Sequence, residues 1–166
     1  MISIRLATAW LSGCSGCHMS LLNMHQELLV VLAQCDLVYS PLMDIKEYPL
    51  GVDIVLVEGA VANEDNRKMA RLIRERTEVV VSLGDCAVNG NVTALRNPLD
   101  HDDMVRRCYG TQDIQTVARL LPKVLPLHQV IKVDAYIPGC PPDPALIKSG
   151  LAAVQAQLAG FMAPQR

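Results

Sequence analysis

Four cysteines in glycine-bearing contexts are the residues of this chain best suited to chemistry: Gly13-Cys14-Ser15-Gly16-Cys17, Gly84-Asp85-Cys86 and Gly139-Cys140. Brought together, four thiolates make a tetrahedral, all-sulfur site, which suits an iron–sulfur cluster or zinc. The local sequence fits a cluster better. A cluster is large and anionic, its sulfurs need backbone N–H donors at close range, and glycine lets the backbone approach and turn. A helix beginning near Cys17 adds its positive end to the same place. Pro141 and Pro142 carry no N–H, so they stiffen the loop and exclude water. Zinc ligands usually come as two close pairs, whereas Cys86 and Cys140 are lone cysteines on separate segments. A Cys-x-x-Cys opening a helix after a first strand also fits a thioredoxin-like dithiol; the two further Gly-Cys contexts favour metal ligation. Cys35 and Cys108 lack glycine neighbours. Cys35, at the end of an apolar helix, reads as a buried small hydrophobe, and Cys108 has no assigned role.

The elements that must position these cysteines follow from hydrophobic periodicity. Ile2 to Trp10 alternates and reads as a first strand, bounded by Ser12-Gly13. Cys14 to Ser20 is a turn into a helix over Leu21 to Leu32. Asp36 to Ser40 is a short strand stopped by Pro41. Asp53-Ile54-Val55-Leu56-Val57 is a continuous β-branched run, the pattern of a strand covered on both faces. Glu64 to Arg76 is an amphipathic surface helix, with Arg67, Arg71, Arg74 and Arg76 as its exposed face. Glu78 to Leu83 and Gln129 to Ile137 are two further strands. Asp143 to Leu158 is a closing helix, with Asp143 as N-cap and Pro144 at its first position. Asn91 to Leu127 reads as an insertion or interface segment: Asn97-Pro98 and Asp100-His101-Asp102-Asp103 suggest a loop, and Thr111 to Leu121 looks helical. Strands alternating with helices indicate a three-layer α/β/α fold around a parallel sheet, with a flavodoxin-like strand order expected. All four cysteines then lie on loops at the carboxyl ends of strands, where open α/β sheets bind ligands.

Length and composition set the frame. At 166 residues the chain is expected to be one iron–sulfur-binding domain over 1–166, with 91–127 as the insertion. Hydrophobic residues make up 51%, enough for a core without disulfides. The net charge of −2 is interspersed and excludes the basic footprint of a nucleic-acid binder. No apolar run reaches the length of a membrane span. Met1-Ile2-Ser3-Ile4-Arg5 lacks the features of a secretory signal, so a cytoplasmic location is expected. In that reducing compartment structural disulfides are not expected.

At these residues the chain resembles a known family. Leu11-Ser12-Gly13-Cys14-Ser15-Gly16-Cys17-His18-Met19-Ser20 is similar to the opening motif of [NiFe] hydrogenase small subunits. Val57-Glu58-Gly59-Ala60, Gly84-Asp85-Cys86-Ala87 and Gly139-Cys140-Pro141-Pro142 resemble that family's later motifs, in the same order. The resemblance is nearest to the small subunit of cytoplasmic NAD-reducing hydrogenases. Other branches carry a twin-arginine signal, a carboxyl-terminal two-cluster domain or extra cysteines, and none of these is seen here. The resemblance implies one [4Fe-4S] cluster held by Cys14, Cys17, Cys86 and Cys140. It also implies a partner large subunit with the Ni–Fe centre, and diaphorase subunits with FMN, NAD and further clusters. The expected role is to relay electrons between the two, with no hydrogenase activity in the isolated chain.

The same resemblance places Glu58 beside the cluster, to take protons or serve as an alternative ligand; read alone, it is a strand-end carboxylate bonded to backbone N–H groups. His18 is expected to bond a cluster sulfur, face the large subunit or simply be solvated. His25, His101 and His128 read as structural or surface residues, and Trp10 and Ser12 as shaping the ligand loop. Met19 and Met24 are interface or core, and Asp44, Lys46 and Glu47 form a solvated loop that is a candidate for partner contact. Three rivals stand beside this reading. The related cluster subunit of respiratory NADH:quinone oxidoreductase uses adjacent cysteines, unlike Cys14 and Cys17. A flavodoxin-like electron carrier should have a Ser/Thr/Gly phosphate loop where two cysteines stand. A zinc-stabilised binding module is the third.

Overall fold

The computed structural model describes residues 3–110 and 117–162. Five strands form one parallel sheet: β1 (Ile4–Trp10), β2 (Cys35–Tyr39), β3 (Val52–Glu58), β5 (Thr77–Leu83) and β7 (Ala135–Ile137). Their order is β2-β1-β3-β5-β7, so the sheet's five strands in chain order run 2-1-3-4-5, the flavodoxin-like arrangement. A separate antiparallel pair joins β4 (Val61–Asn63) to β6 (Leu120–Leu125).

The continuous apolar run of β3 has a simple cause. Val55 and Val57 belong to one core with Ala70 and Ile73 of α3 (Glu64–Arg76), while Ile54 and Leu56 belong to the other, with Ile147, Leu151 and Val154 of α6 (Pro144–Met162). All four β3 side chains are fully buried, which at about 1.5–3 kcal/mol for each large apolar side chain makes β3 the anchor of the sheet. The amphipathic α3 begins as expected: the Asn63 side chain accepts from Asn66 N at its amino end. Asp143 Oδ1 likewise accepts from Ala145 N at the start of α6.

The structure corrects several expectations. The helix expected over Leu21–Leu32 is two, α1 (Gly16–Leu22) and α2 (Gln26–Leu32). His25, at φ 50° and ψ −122°, breaks it, and the break turns Met24 into the core beside Leu6 and Ile54. Cys35 therefore opens β2 instead of closing a helix, and its sulfur accepts from Gln155 Nε2 at 3.1 Å. The last strand is only Ala135–Ile137. Leu127–Gln129 forms a 3₁₀ turn, and the Asp134 carboxylate takes the N–H of Val80 that a longer strand would take. After β5 the chain enters a short helix, α4 (Asp85–Asn89), which carries Cys86. Within 91–127, Asn91–Arg96 is a 3₁₀ helix, and Asp100 caps α5 (His101–Tyr109) by accepting from Asp103 N. The helix expected over Thr111–Leu121 falls partly on 111–116, outside the described residues. Its last residues, Leu120 and Leu121, lie in β6, where Leu121 and Val124 are buried.

The arginine face of α3 is only partly exposed. Arg74 pairs with Asp134 at 2.5 Å and also donates to the carbonyls of Thr77 and Glu78. Arg76 donates to the Tyr48 carbonyl at 2.6 Å. Arg74 ties α3 to the amino ends of β5 and β7, and Arg76 ties it to the loop before β3. Backbone N–H, the Arg74 guanidinium and Lys132 hold the Asp134 carboxyl below the usual carboxylate range, against the opposing effect of its burial.

Candidate metal centre

The site is built at the carboxyl ends of β1, β3, β5 and β7, next to the β1/β3 switch point where such sheets leave a crevice. After β1 the chain zips onto the chain leaving β3: Leu11 N donates to Glu58 O at 2.8 Å, and Ser12 and Ala60 exchange both backbone bonds. The approach is close enough that a Cβ on Gly59, at φ +87°, would lie 2.8 Å from Ser12 O. This fixes the start of the cysteine loop. Ser15 then adopts a left-handed conformation at φ 65°, and α1 begins at Gly16, so Cys17 sits within the first helical turn.

The other two loops are bound to each other. Gly84 N donates to Ile137 O at 2.8 Å, Asp85 N to Gly139 O at 2.9 Å, and Gly139 N to Asp85 Oδ1 at 2.7 Å. The Ser20 hydroxyl of α1 donates to Pro142 O at 2.5 Å, which draws the first loop to the last. The contact between loops is tightest at Gly84, where a Cβ would stand 2.2 Å from Cys17 Sγ. That sulfur fills the space that the missing side chain leaves.

Cys14, Cys17, Cys86 and Cys140 are all free thiols, and they are near enough to act on one another electrostatically. Burial pushes Cys17 up to about 12, followed by the charges of Glu58, Cys86, Cys14 and Cys140. Cys86 is also raised, first by burial, then by Cys140, with the Thr93 backbone N–H opposing and Cys14 and Glu58 adding to the rise. The four thus gather at one edge of the sheet. They are graded in exposure: Cys17 is buried, Cys86 half-buried, and Cys14 and Cys140 are exposed. Among the described residues, no three His, Cys, Asp or Glu side chains are set closely enough to grip a single ion. Four soft sulfurs on three loops, with Gly84 against Cys17 Sγ and Gly16 against Cys14 Sγ, are a donor set that suits a thiolate-ligated cluster, and two of the four come singly from separate loops, unlike the close pairs of a compact zinc site.

Glu58 and His18 are both 1% exposed. Glu58 Oε2 accepts from the His18 backbone N–H at 2.9 Å and from its ring Nδ1 at 2.5 Å. His18 is therefore neither solvated nor a surface residue. Nothing in the sequence points to its pairing with Glu58, because 40 residues separate the partners and only the β1–β3 register joins them. Trp10 packs edge-on against the His18 ring at 5.2 Å. Met24 is core and Met19 is exposed, as are Asp44, Lys46 and Glu47. Cys108 is exposed on α5 and is not among the thiols that act on Cys17 or Cys86. A cleft of about 800 Å³ lies at the opposite, amino end of the sheet around Gly51, Asp53, Thr77 and Asp134, and none of the cysteines lines it.

The raised Cys17 thiol gives a pH prediction for the metal-free chain. In the fold it keeps its proton to about pH 12, whereas in an unfolded chain a cysteine loses it near about 8.5. Between those values the unfolded state binds fewer protons, so stability falls as pH rises. Denaturant midpoints of the chelated chain should drop from roughly pH 9 upward, and Cys17→Ala should flatten that slope.

Comparison with known proteins gives the chain's family. The chain matches the family described as NADH ubiquinone oxidoreductase, 20 Kd subunit, over residues 14–154. It is 41% identical over 152 residues to a subunit of the F420-non-reducing hydrogenase of Methanothermobacter marburgensis, covering 84% of this chain and 49% of that protein. It is 38% identical to the NAD-reducing hydrogenase HoxS subunit delta of Cupriavidus necator, covering 84% of this chain and 73% of that one. The chain spans about half the length of the first curated relatives it matches. A crystal structure of an NAD+-reducing [NiFe]-hydrogenase in the H2-reduced state contains a chain that superposes with a TM-score of 0.86 at 32% identity, covering 93% of both chains.

Proposed function

This chain belongs to the NADH ubiquinone oxidoreductase 20 Kd subunit family, with hydrogenase subunits among its relatives, and from that premise we propose that it is the small, electron-relaying subunit of a cytoplasmic NAD-reducing [NiFe] hydrogenase. In this reading Cys14, Cys17, Cys86 and Cys140 hold one [4Fe-4S] cluster. The observation that carries it is the convergence of four thiols from three loops at the sheet's ligand edge, with Cys17 Sγ seated against Gly84. When bound, such a cluster takes up and passes on single electrons. The chain's own residues do the rest. Cys17 and the two core layers keep water from the inner side, Gly84 and Gly139 let the backbone close in, and the exposed Cys14 and Cys140 turn the outer side toward a partner. The large subunit would bring the Ni–Fe centre to this face, and a diaphorase with FMN and NAD would take the electrons. Among the described residues no helix is long and apolar enough to cross a membrane.

The 41% identity to an F420-non-reducing hydrogenase favours a second reading, in which the same relay serves an acceptor other than NAD. Anaerobic purification of the tagged chain from its native cells tests both. The NAD reading expects brown protein with about four irons per chain, co-purifying with a large subunit and a flavin-bearing diaphorase. A complex that reduces a viologen dye from H2, but lacks the diaphorase and does not reduce NAD, would support the second. Colourless protein with zinc in place of iron would refute the cluster assignment.

A further inference from the structure

Glu58 is the one buried carboxylate among the described residues, and it stands at the end of β3 against the cysteine loops. Its charge bears on two of the four thiols, Cys17 and Cys86. The two oxygens are held differently. Oε2 takes two hydrogen bonds from His18, while Oε1 accepts none among the described residues and lies 3.6 Å from where a Gly13 Cβ would be, under the loop that carries Cys14. A carboxylate beside thiolates is repelled by them, so something must hold it there.

His18 is built for that and for little else. The side chain is 1% exposed, and among the described residues its only hydrogen bond is to Glu58 while its Nε2 is buried with no partner. An unpartnered buried nitrogen is destabilising, a cost that an apolar residue of similar size would avoid. The ring is locked by the Trp10 edge at 5.2 Å and 65°.

We propose that His18 is the positioning residue that pins Glu58 as a fixed negative charge beside the cysteine site, and that it thereby holds down the reduction potential of the group bound there. The inference rests on the cluster reading above. A pinned carboxylate opposes each added electron; freed from His18 Nδ1, it moves away from the sulfurs and the opposition weakens.

The test is an anaerobic redox titration of the cluster, followed by electron paramagnetic resonance in the assembled complex. His18→Leu should raise the midpoint by at least tenfold in the reduced-to-oxidised ratio at a fixed potential, about 59 mV for a one-electron couple. Glu58→Gln should raise it at least as far, and adding His18→Leu to Glu58→Gln should change nothing more. His18→Asn, whose amide N–H falls near the place of Nδ1–H, should stay at the wild-type midpoint. A wild-type midpoint in His18→Leu, or a His18→Leu shift that survives in the Glu58→Gln background, overturns the proposal. Should His18→Leu fail to load iron, His18→Gln takes its place, because its longer side chain carries the amide past Oε2; the same two outcomes then decide. Wild-type protein without iron would instead sink the cluster reading itself.

Discussion

Cys86→Ser and Cys140→Ser are expected to purify folded but depleted of iron, and to lose H2-dependent NAD reduction in the assembled complex. A serine hydroxyl is a hard, weakly acidic oxygen where a soft thiolate is needed. The fall in activity should exceed the roughly 100-fold that loss of an outer-shell partner costs. The fold should tolerate both changes. Cys140 is exposed and Cys86 only half-buried, and neither belongs to the two main apolar cores. The control is Cys35→Ser together with Cys108→Ser: the first touches Gln155 and the second is exposed on α5, so both should keep iron and activity. Iron analysis and far-ultraviolet circular dichroism on the same preparations separate loss of ligand from loss of fold. Full activity in either site variant would refute the ligand assignment; loss of iron in the controls would show that the chain is sensitive to serine at any cysteine.

That contrast is legible in the sequence, because it depends on short-range features. Each of the four site cysteines lies within two residues of a glycine, and the loops that carry them follow apolar runs that read as strands. The β3 run and the amphipathic α3 are readable for the same reason, since burial on two faces or on one face leaves a direct periodic trace. What the sequence hides are features decided by partners far away along the chain. The break at His25 follows from the core's demand for Met24, and no helix-breaking residue marks it. The shortened β7 follows from Asp134, whose side chain satisfies Val80 N in place of a strand backbone. Arg74 and Arg76 look like a solvated face because helical spacing says nothing of the Thr77 and Glu78 carbonyls at the start of β5 or of the Tyr48 loop. His18 is the sharpest case: a histidine after a cysteine at a helix start carries no signal of burial, and its partner Glu58 reaches it only through the pairing of β1 with β3.

Gly84→Ala should be among the most damaging methyl groups that can be added at this site. The new Cβ would stand 2.2 Å from Cys17 Sγ, at a φ of +79° that a Cβ already disfavours. At ψ 160° this is a backbone region essentially reserved for glycine, so the conformational part costs about 1–3 kcal/mol, and forcing atoms into filled space costs about 1–3 kcal/mol more. Relief has two routes, and both lead through the site. Either Cys17 swings its sulfur out of the convergence, or the Gly84 backbone retreats and breaks its bond to Ile137 O and that of Asp85 to Gly139 O, moving Cys86 and Cys140 together. Loss of iron and a drop of roughly 2–6 kcal/mol in the stability of the metal-free chain are therefore expected in one variant. Gly110→Ala isolates the clash. It has a similar φ of +68° and, among the described residues, nothing within 4 Å of its Cβ, so it should carry the conformational cost without that clash and keep its iron. If denaturant titrations place the two variants together and Gly84→Ala still binds iron, the Cys17 sulfur does not rest on the Cys86 loop. The thiols would then have to meet by some other path.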